Sequence, residues 1–147
     1  MPLEEQLEAL QRAVSAGKVR HAALSNETPY GLARCVEAVR QRAGGSGQGR
    51  LAKIAVVQQA YSLLNRTFDA GMAEACAEGD VRLLAYAPLA AGLLSGKYHA
   101  PSAPPQDARL ERYAKTGGDE DMQRYHPEGI NVGEVRALVS NTPVDRL

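Results

Sequence analysis

Ser25, Asn26, Gln58 and Tyr86 each stand at or just past the carboxyl end of a short apolar run. A hydroxyl, two carboxamides and one flat aromatic ring brought to a common rim would suit a planar heterocycle that bears a carboxamide. The amides would hold the carboxamide while the phenol ring stacks on the heterocycle's face. A plainer reading explains the same residues as turn chemistry at Ser25-Asn26 and half-buried polar positions at Gln58 and Tyr86. On spacing alone the plainer reading outweighs the binding one.

Other chemistry is harder to assemble. His21, His99 and His126 are scattered, and none has an acidic or thiol neighbour at metal-ligand spacing. His21 falls in the first apolar run, where a packed or hydrogen-bonded imidazole is the simpler role. Cys35 and Cys76 fall in separate expected helices and read as reduced, half-buried thiols. The 44–49 segment, Gly-Gly-Ser-Gly-Gln-Gly, lacks the spacing of a dinucleotide phosphate loop. It also leaves a helix to enter a strand, the reverse of that motif, so it reads as a flexible surface connection.

The elements that would position the rim residues alternate between helix and strand. Leu3, Leu7, Leu10 and Val14 mark one helical face, with Gly17 as its stop. Residues 19–24 form the first expected strand, and Thr28-Pro29 opens a helix whose buried stripe is Leu32, Cys35, Val36 and Val39. Residues 54–58 form the second strand. Asp69 is the expected cap of a helix running to about Glu78, which Gly79 ends. Residues 81–86 form the third strand, and 88–96 a short helical loop. Parallel strands joined by helices bring their carboxyl ends to one rim, as in a barrel, yet 147 residues fall short of the roughly 250 of a complete one. The expected fold is therefore α/β: a partial (β/α)8 TIM barrel of about three βα units with parallel strands. Its domain is 1–98. Residues 99–147, with Pro101, Pro104, Pro105 and Gly117-Gly118, read as a loosely ordered tail with a weak helix near 132–140.

Composition excludes several classes. Seventeen basic and seventeen acidic residues give a net charge of zero with no like-charge block, which argues against nucleic-acid or electrostatic membrane partners. No apolar run approaches the roughly 18 residues of a membrane span. The amino terminus shows no basic flank or apolar core of a secretory leader. The expected setting is cytoplasmic, or another reducing soluble compartment.

Three motifs in order carry a family resemblance: Gly17-Lys18-Val19-Arg20 leading to Ser25-Asn26, Gln58 with Tyr61-Ser62-Leu63-Leu64-Asn65-Arg66, and Leu84-Ala85-Tyr86-Ala87-Pro88-Leu89 with Gly92, Leu94 and Ser95-Gly96-Lys97-Tyr98. Over residues 3–98 the chain resembles an aldo-keto reductase, of the branch that includes bacterial oxidoreductases and potassium-channel beta subunits. The resemblance implies an eight-stranded barrel that binds NADP(H) and reduces aldehydes and ketones. It implies that Ser25, Asn26 and Gln58 hold the nicotinamide carboxamide and that Tyr86 stacks on the ring. Backbone groups of Ala87, Pro88, Leu89, Gly92 and Leu94 would line the pyrophosphate.

The chain departs from the family pattern at Ala23, where glycine is common, at Gln59-Ala60, where Asn-Pro is common, and at Ala87, where serine is common. The last change removes a hydroxyl near the phosphates. The family's catalytic Asp, Tyr, Lys and His come from its first four strands, for which this sequence has no counterpart. The same holds for the eighth strand and the basic segment that grips the 2′-phosphate. The resemblance thus implies a segment that retains the nicotinamide half-site and binds its cofactor weakly. Three parallel strands would leave two open edges, which a second copy or a complementing barrel fragment would fill.

Overall fold

The computed structural model describes residues 2–44 and 49–98. The chain divides into two units, Met1–Tyr86 and Ala87–Leu147. The expected tail at 99–147, its weak helix and the centre of the glycine-rich connection lie outside the described residues.

In the first unit, α1 (Leu3–Ser15) carries Glu4 and Glu5 in its first turn, where the helix dipole favours negative charge. It buries Leu7 and ends in a paired cap. The Gly17 N–H donates to the Val14 carbonyl (2.9 Å) and the Lys18 N–H to the Ala13 carbonyl (3.0 Å), with Gly17 at φ 67. That cap uses the residues just after the helix. β1 (Ala22–Ser25) therefore begins three residues later than the apolar run suggests, leaving Val19 exposed and His21 outside the strand.

Helix α2 (Pro29–Gly44) starts as its sequence requires: the Gly31 N–H donates to the Thr28 hydroxyl (3.0 Å), and Pro29 takes the first helical position. Leu32 and Cys35 are buried, and Cys76 is buried too, so the thiols are more enclosed than the half-buried state expected. β2 (Ile54–Ala60) runs two residues beyond the expected Gln58, because β1 pairs with it only as far as Gln58 while β3 pairs with it as far as Ala60.

Asp69 does not cap the next helix. It closes a single 3-10 turn (Thr67–Asp69), and its carboxylate is taken by Tyr61 and Arg66; α3 (Met72–Gly79) starts after Gly71, which is at φ 100. Gly79 likewise lies inside α3, and Asp80 (φ 51) supplies the left-handed end. What requires a glycine at 79 is packing: a Cβ there would sit 2.8 Å from Val36 Cγ2 of α2. β3 (Arg82–Tyr86) completes the set.

The strands form one parallel sheet in the order β1-β2-β3. An extra residue, Ala55, interrupts the β1–β2 register, so Ala22 pairs with Ile54 but Ala23 with Val56. The bulge explains why Ile54 and Val57, three apart, both face the helices. They join Ala22, Leu7, Leu32, Cys35, Met72, Cys76 and Val81 in one buried core. The opposite face carries Ala23, Ser25, Val56, Gln58, Arg82, Leu84 and Tyr86 by register and contributes nothing to that core. Strands alternating with helices that cover a single face are the architecture of part of a (β/α)8 barrel.

Candidate functional site at the carboxyl rim

Register decides which rim residues meet. Ser25 pairs with Gln58, and Gln58 pairs with Leu84, so the hydroxyl and the carboxamide are neighbours on the face away from the helices. Tyr86, paired with Ala60, lies one step nearer the rim on that same face. Asn26 leaves the strand: its N–H still donates to the Gln58 carbonyl (3.0 Å), and its backbone turns left-handed at φ 54, a conformation asparagine tolerates. The structure thus brings Ser25, Gln58 and Tyr86 onto one face and places Asn26 directly above them.

Among the described residues, the side chains of Ser25, Asn26 and Gln58 make no hydrogen bond to the protein. Their donors and acceptors are open to a ligand. Gln59 is different: on the helix side of β2, its amide donates to the Glu27 carbonyl and ties down the loop that follows β1. One glutamine is spent on structure while its neighbour is left at the rim.

A second cluster, beyond the end of β2, was not legible as a unit in the sequence. The Tyr61 hydroxyl donates to Asp69 Oδ1 (3.0 Å), Arg66 Nε donates to Asp69 Oδ2 (2.8 Å), and the Arg66 guanidinium lies 4.6 Å over the Tyr61 ring. Partial burial and the bond to Asp69 hold the Tyr61 hydroxyl above its ordinary pKa. Buried Ser62 and Asn65 knot the same loop, the Ser62 hydroxyl accepting from the N–H groups of Leu64 and Asn65. The Tyr61 N–H donates to the Tyr86 carbonyl (3.3 Å), which fixes the loop to the end of β3. No local periodicity links positions 61, 66 and 69, so only the fold assembles them.

The second unit is described over residues 87–98, where the expected helical loop is a 3-10 segment (Ala90–Ser95) broken by left-handed residues. Ala87, Ala90 and Ala91 take φ values of 52, 47 and 57, a conformation that costs a non-glycine residue about 1–2 kcal/mol. The left-handed path closes the loop on itself: the Ala90 N–H donates to the Ala87 carbonyl (2.8 Å), and the N–H groups of Gly92 and Leu94 donate to the Leu89 carbonyl (2.9 and 3.2 Å). Lys97 is a functional candidate the sequence reading passed over. Its Cε and Nζ occupy the space a Cβ on Gly92 would fill, 2.6 and 2.8 Å away, and its charge lies 5.2 Å over the Tyr98 ring. The signal for it was the Gly92-to-Lys97 spacing, which acquires meaning only once the loop's left-handed path is known.

Among the described residues, no cluster of His, Cys, Asp and Glu could hold a metal ion, and no helix is long and apolar enough to cross a membrane. The rim offers hydrogen-bonding and stacking groups, and the 87–98 segment offers a cation, Lys97, on a loop held by its own backbone bonds.

Comparison with known proteins matches residues 1–137 to the Aldo/keto reductase family. The chain is 43% identical to an aldo-keto reductase of Babesia bovis over 116 residues, covering 77% of this chain and 38% of that protein. It is 36% identical to protein tas of Escherichia coli over 124 residues, 82% of this chain and 34% of the relative. It is 30% identical over 120 residues to the Schizosaccharomyces pombe aldo-keto reductase yakc [NADP(+)], 78% of this chain and 32% of the relative. The chain spans about a third of the length of these relatives. The family match runs to residue 137, past residue 98 where the motifs of the resemblance stop.

Proposed function

Because the chain belongs to the aldo/keto reductase family, we propose that it is the cofactor-side segment of an NADP(H)-dependent oxidoreductase that reduces aldehydes or ketones. The observation that carries this reading is the register Ser25–Gln58 with Tyr86 on the same face, the side chains of Ser25, Asn26 and Gln58 having no partner among the described residues. When bound, the nicotinamide supplies the hydride. The chain's own part is to bind and orient: Ser25, Asn26 and Gln58 hold the carboxamide, and the Tyr86 ring supports the heterocycle's face. Tyr86 is a stacking group and not the proton donor, since the motif around it is the stacking one. In the same reading, the backbone of Ala87, Pro88, Leu89, Gly92 and Leu94, with Lys97 nearby in sequence, serves the pyrophosphate. The support for that role is the cation of Lys97 lying against Gly92 in the left-handed loop.

Proton donation to the carbonyl oxygen needs groups that the family resemblance assigns to strands without counterpart in these 147 residues. Turnover therefore belongs to a completed barrel, built with a complementing fragment or a second copy that covers the open sheet face and edges. Buried Cys35 and Cys76, whose thiols burial holds above the ordinary pKa, suit a reducing soluble compartment such as the cytoplasm.

Fluorescence titration with NADPH and NADH tests the reading. Saturable binding with little preference between the two is expected, because no 2′-phosphate grip has been identified. Gln58→Ala should weaken it about tenfold, the worth of one or two buried hydrogen bonds. Equal binding by Gln58→Ala would remove the rim from the site. Tight, NADPH-selective binding would show that the chain carries a phosphate grip after all.

A further inference from the structure

At the amino end of the sheet, opposite the rim, α1, α2 and the segments leading into β1 and β2 enclose a cavity of about 380 Å³. Its floor is apolar, with Val14 and Leu51 among the lining residues, and its basic lining is Arg20, Arg50 and Lys53, with the His21 ring beside them. Among the described residues, no carboxylate lines it. Of the nearby acids, Glu8 pairs with Arg42 outside the lining (3.2 Å), while Asp80 pairs with Lys53 of the lining itself (2.6 Å), which leaves the two arginines as the uncompensated charges. Among the described residues, Arg20 and Arg50 have no carboxylate partner.

We infer that this cavity is a binding site for a small phosphate monoester whose organic part is apolar or aromatic. Gathering two guanidinium groups without carboxylate partners round one concavity incurs mutual repulsion that a dianion would relieve, and the imidazole of His21 offers a further ring nitrogen. A phosphate presents three strong acceptor oxygens, which match several converging N–H donors better than a carboxylate's two. The floor decides the rest of the ligand. A cavity of roughly 150 Å³ already admits benzene, so this one has room for a single ring beside the phosphate. The site shares no residue with the cofactor rim and does not depend on the reading given above for it. All its lining residues belong to the first unit, so completing the barrel on the sheet's other face leaves it in place.

The test uses the full 147-residue chain with phenyl phosphate and inorganic phosphate, followed by ³¹P NMR at constant ionic strength held with sodium chloride. Phenyl phosphate should shift saturably and bind more tightly than inorganic phosphate. The double variant Arg20→Gln, Arg50→Gln alters only exposed side chains, and its fold is checked by circular dichroism. It should bind at least about tenfold more weakly, since each lost contact is a charge-assisted hydrogen bond. Arg34→Gln, an exposed arginine on α2 outside the cavity, should bind like the native chain. Absence of saturable binding, or undiminished binding by the double variant, would overturn the site. Equal affinity for the two probes would overturn the ester and leave the apolar floor without a role.

Discussion

On the helix-backed face of the sheet, Ile54 and Val57 are 2% and 0% exposed, whereas on the opposite face Leu84, paired with Gln58, is 53% exposed. One backbone supports both surfaces, and alternation sends neighbouring residues to opposite fates: Val57 into the core and Gln58 to the rim, Gln59 to a structural hydrogen bond. Burial that holds the chain together is concentrated on one face, and the groups able to recognise a ligand stand on the other. The same separation holds in a closed barrel, where the inner face is covered by the remaining strands. Here the inner face shows what the segment contributes: an aligned set of polar groups and, among the described residues, an apolar surface outside the core.

The comparison is broken most widely by catalysis. If the open face supplies only binding and orientation, the isolated chain should oxidise NADPH with a panel of aldehydes no faster than a protein-free blank. Hydride transfer without a proton donor at the carbonyl oxygen leaves an unprotonated alkoxide. Turnover well above the blank would place a proton donor among these residues and recast the rim as an active site.

Paired truncations sharpen it next. Leu32→Ala, at a fully buried position, should cost about 2–5 kcal/mol in denaturant unfolding. Leu84→Ala, on the open face, should change stability by no more than about 0.5 kcal/mol. Its effect should appear instead in sedimentation, where removing an exposed leucine from the uncovered surface weakens self-association. A monomer with a dispersed proton spectrum and one cooperative melt, unaltered by Leu84→Ala, would mean that the open face needs no cover. Similar losses at both positions would mean that Leu84 belongs to a core.

Much of this division was legible in the sequence, and its failures have specific causes. The three apolar runs and their polar ends identified the strands and the rim residues, because burial on one face leaves a strong apolar record. The caps at Thr28 and Gly17 follow from backbone chemistry within a few residues. Register was not legible: the bulge at Ala55 depends on how β1 and β2 settle against each other, and nothing local announces it. Asp69 was misread as a cap because Tyr61 and Arg66 compete for its carboxylate, a contest that exists only in three dimensions. Gly79 was read as a stop because a glycine demanded by Val36 on another helix looks the same in sequence as one demanded by its own backbone. The basic cavity escaped notice for a related reason, since Arg20-His21 and Arg50 are thirty positions apart and converge only through the parallel pairing.

The smallest expected effect concerns Lys53 and Asp80, which clasp the amino end of the sheet to the turn after α3 at 2.6 Å, both largely exposed. The hydrogen bond from Lys53, and then its charge, hold the Asp80 carboxyl below the ordinary aspartate value of about 3.9. A carboxyl whose folded pKa is depressed adds stability that is fully present above the unfolded value and is lost as pH falls through the folded one. Asp80→Asn should therefore lower the melting temperature slightly at neutral pH and low salt, and the native and variant curves should converge once the pH drops below the folded pKa. Screening weakens an exposed pair, so the difference should also shrink in high salt. Melting curves across pH 2–7 at two salt concentrations read both trends. Asn keeps the left-handed conformation at the end of α3 as readily as Asp, so the substitution removes the charge and leaves the backbone role in place. A difference that persists at the acid end, or that ignores salt, would show that the charge pair with Lys53 is not its source.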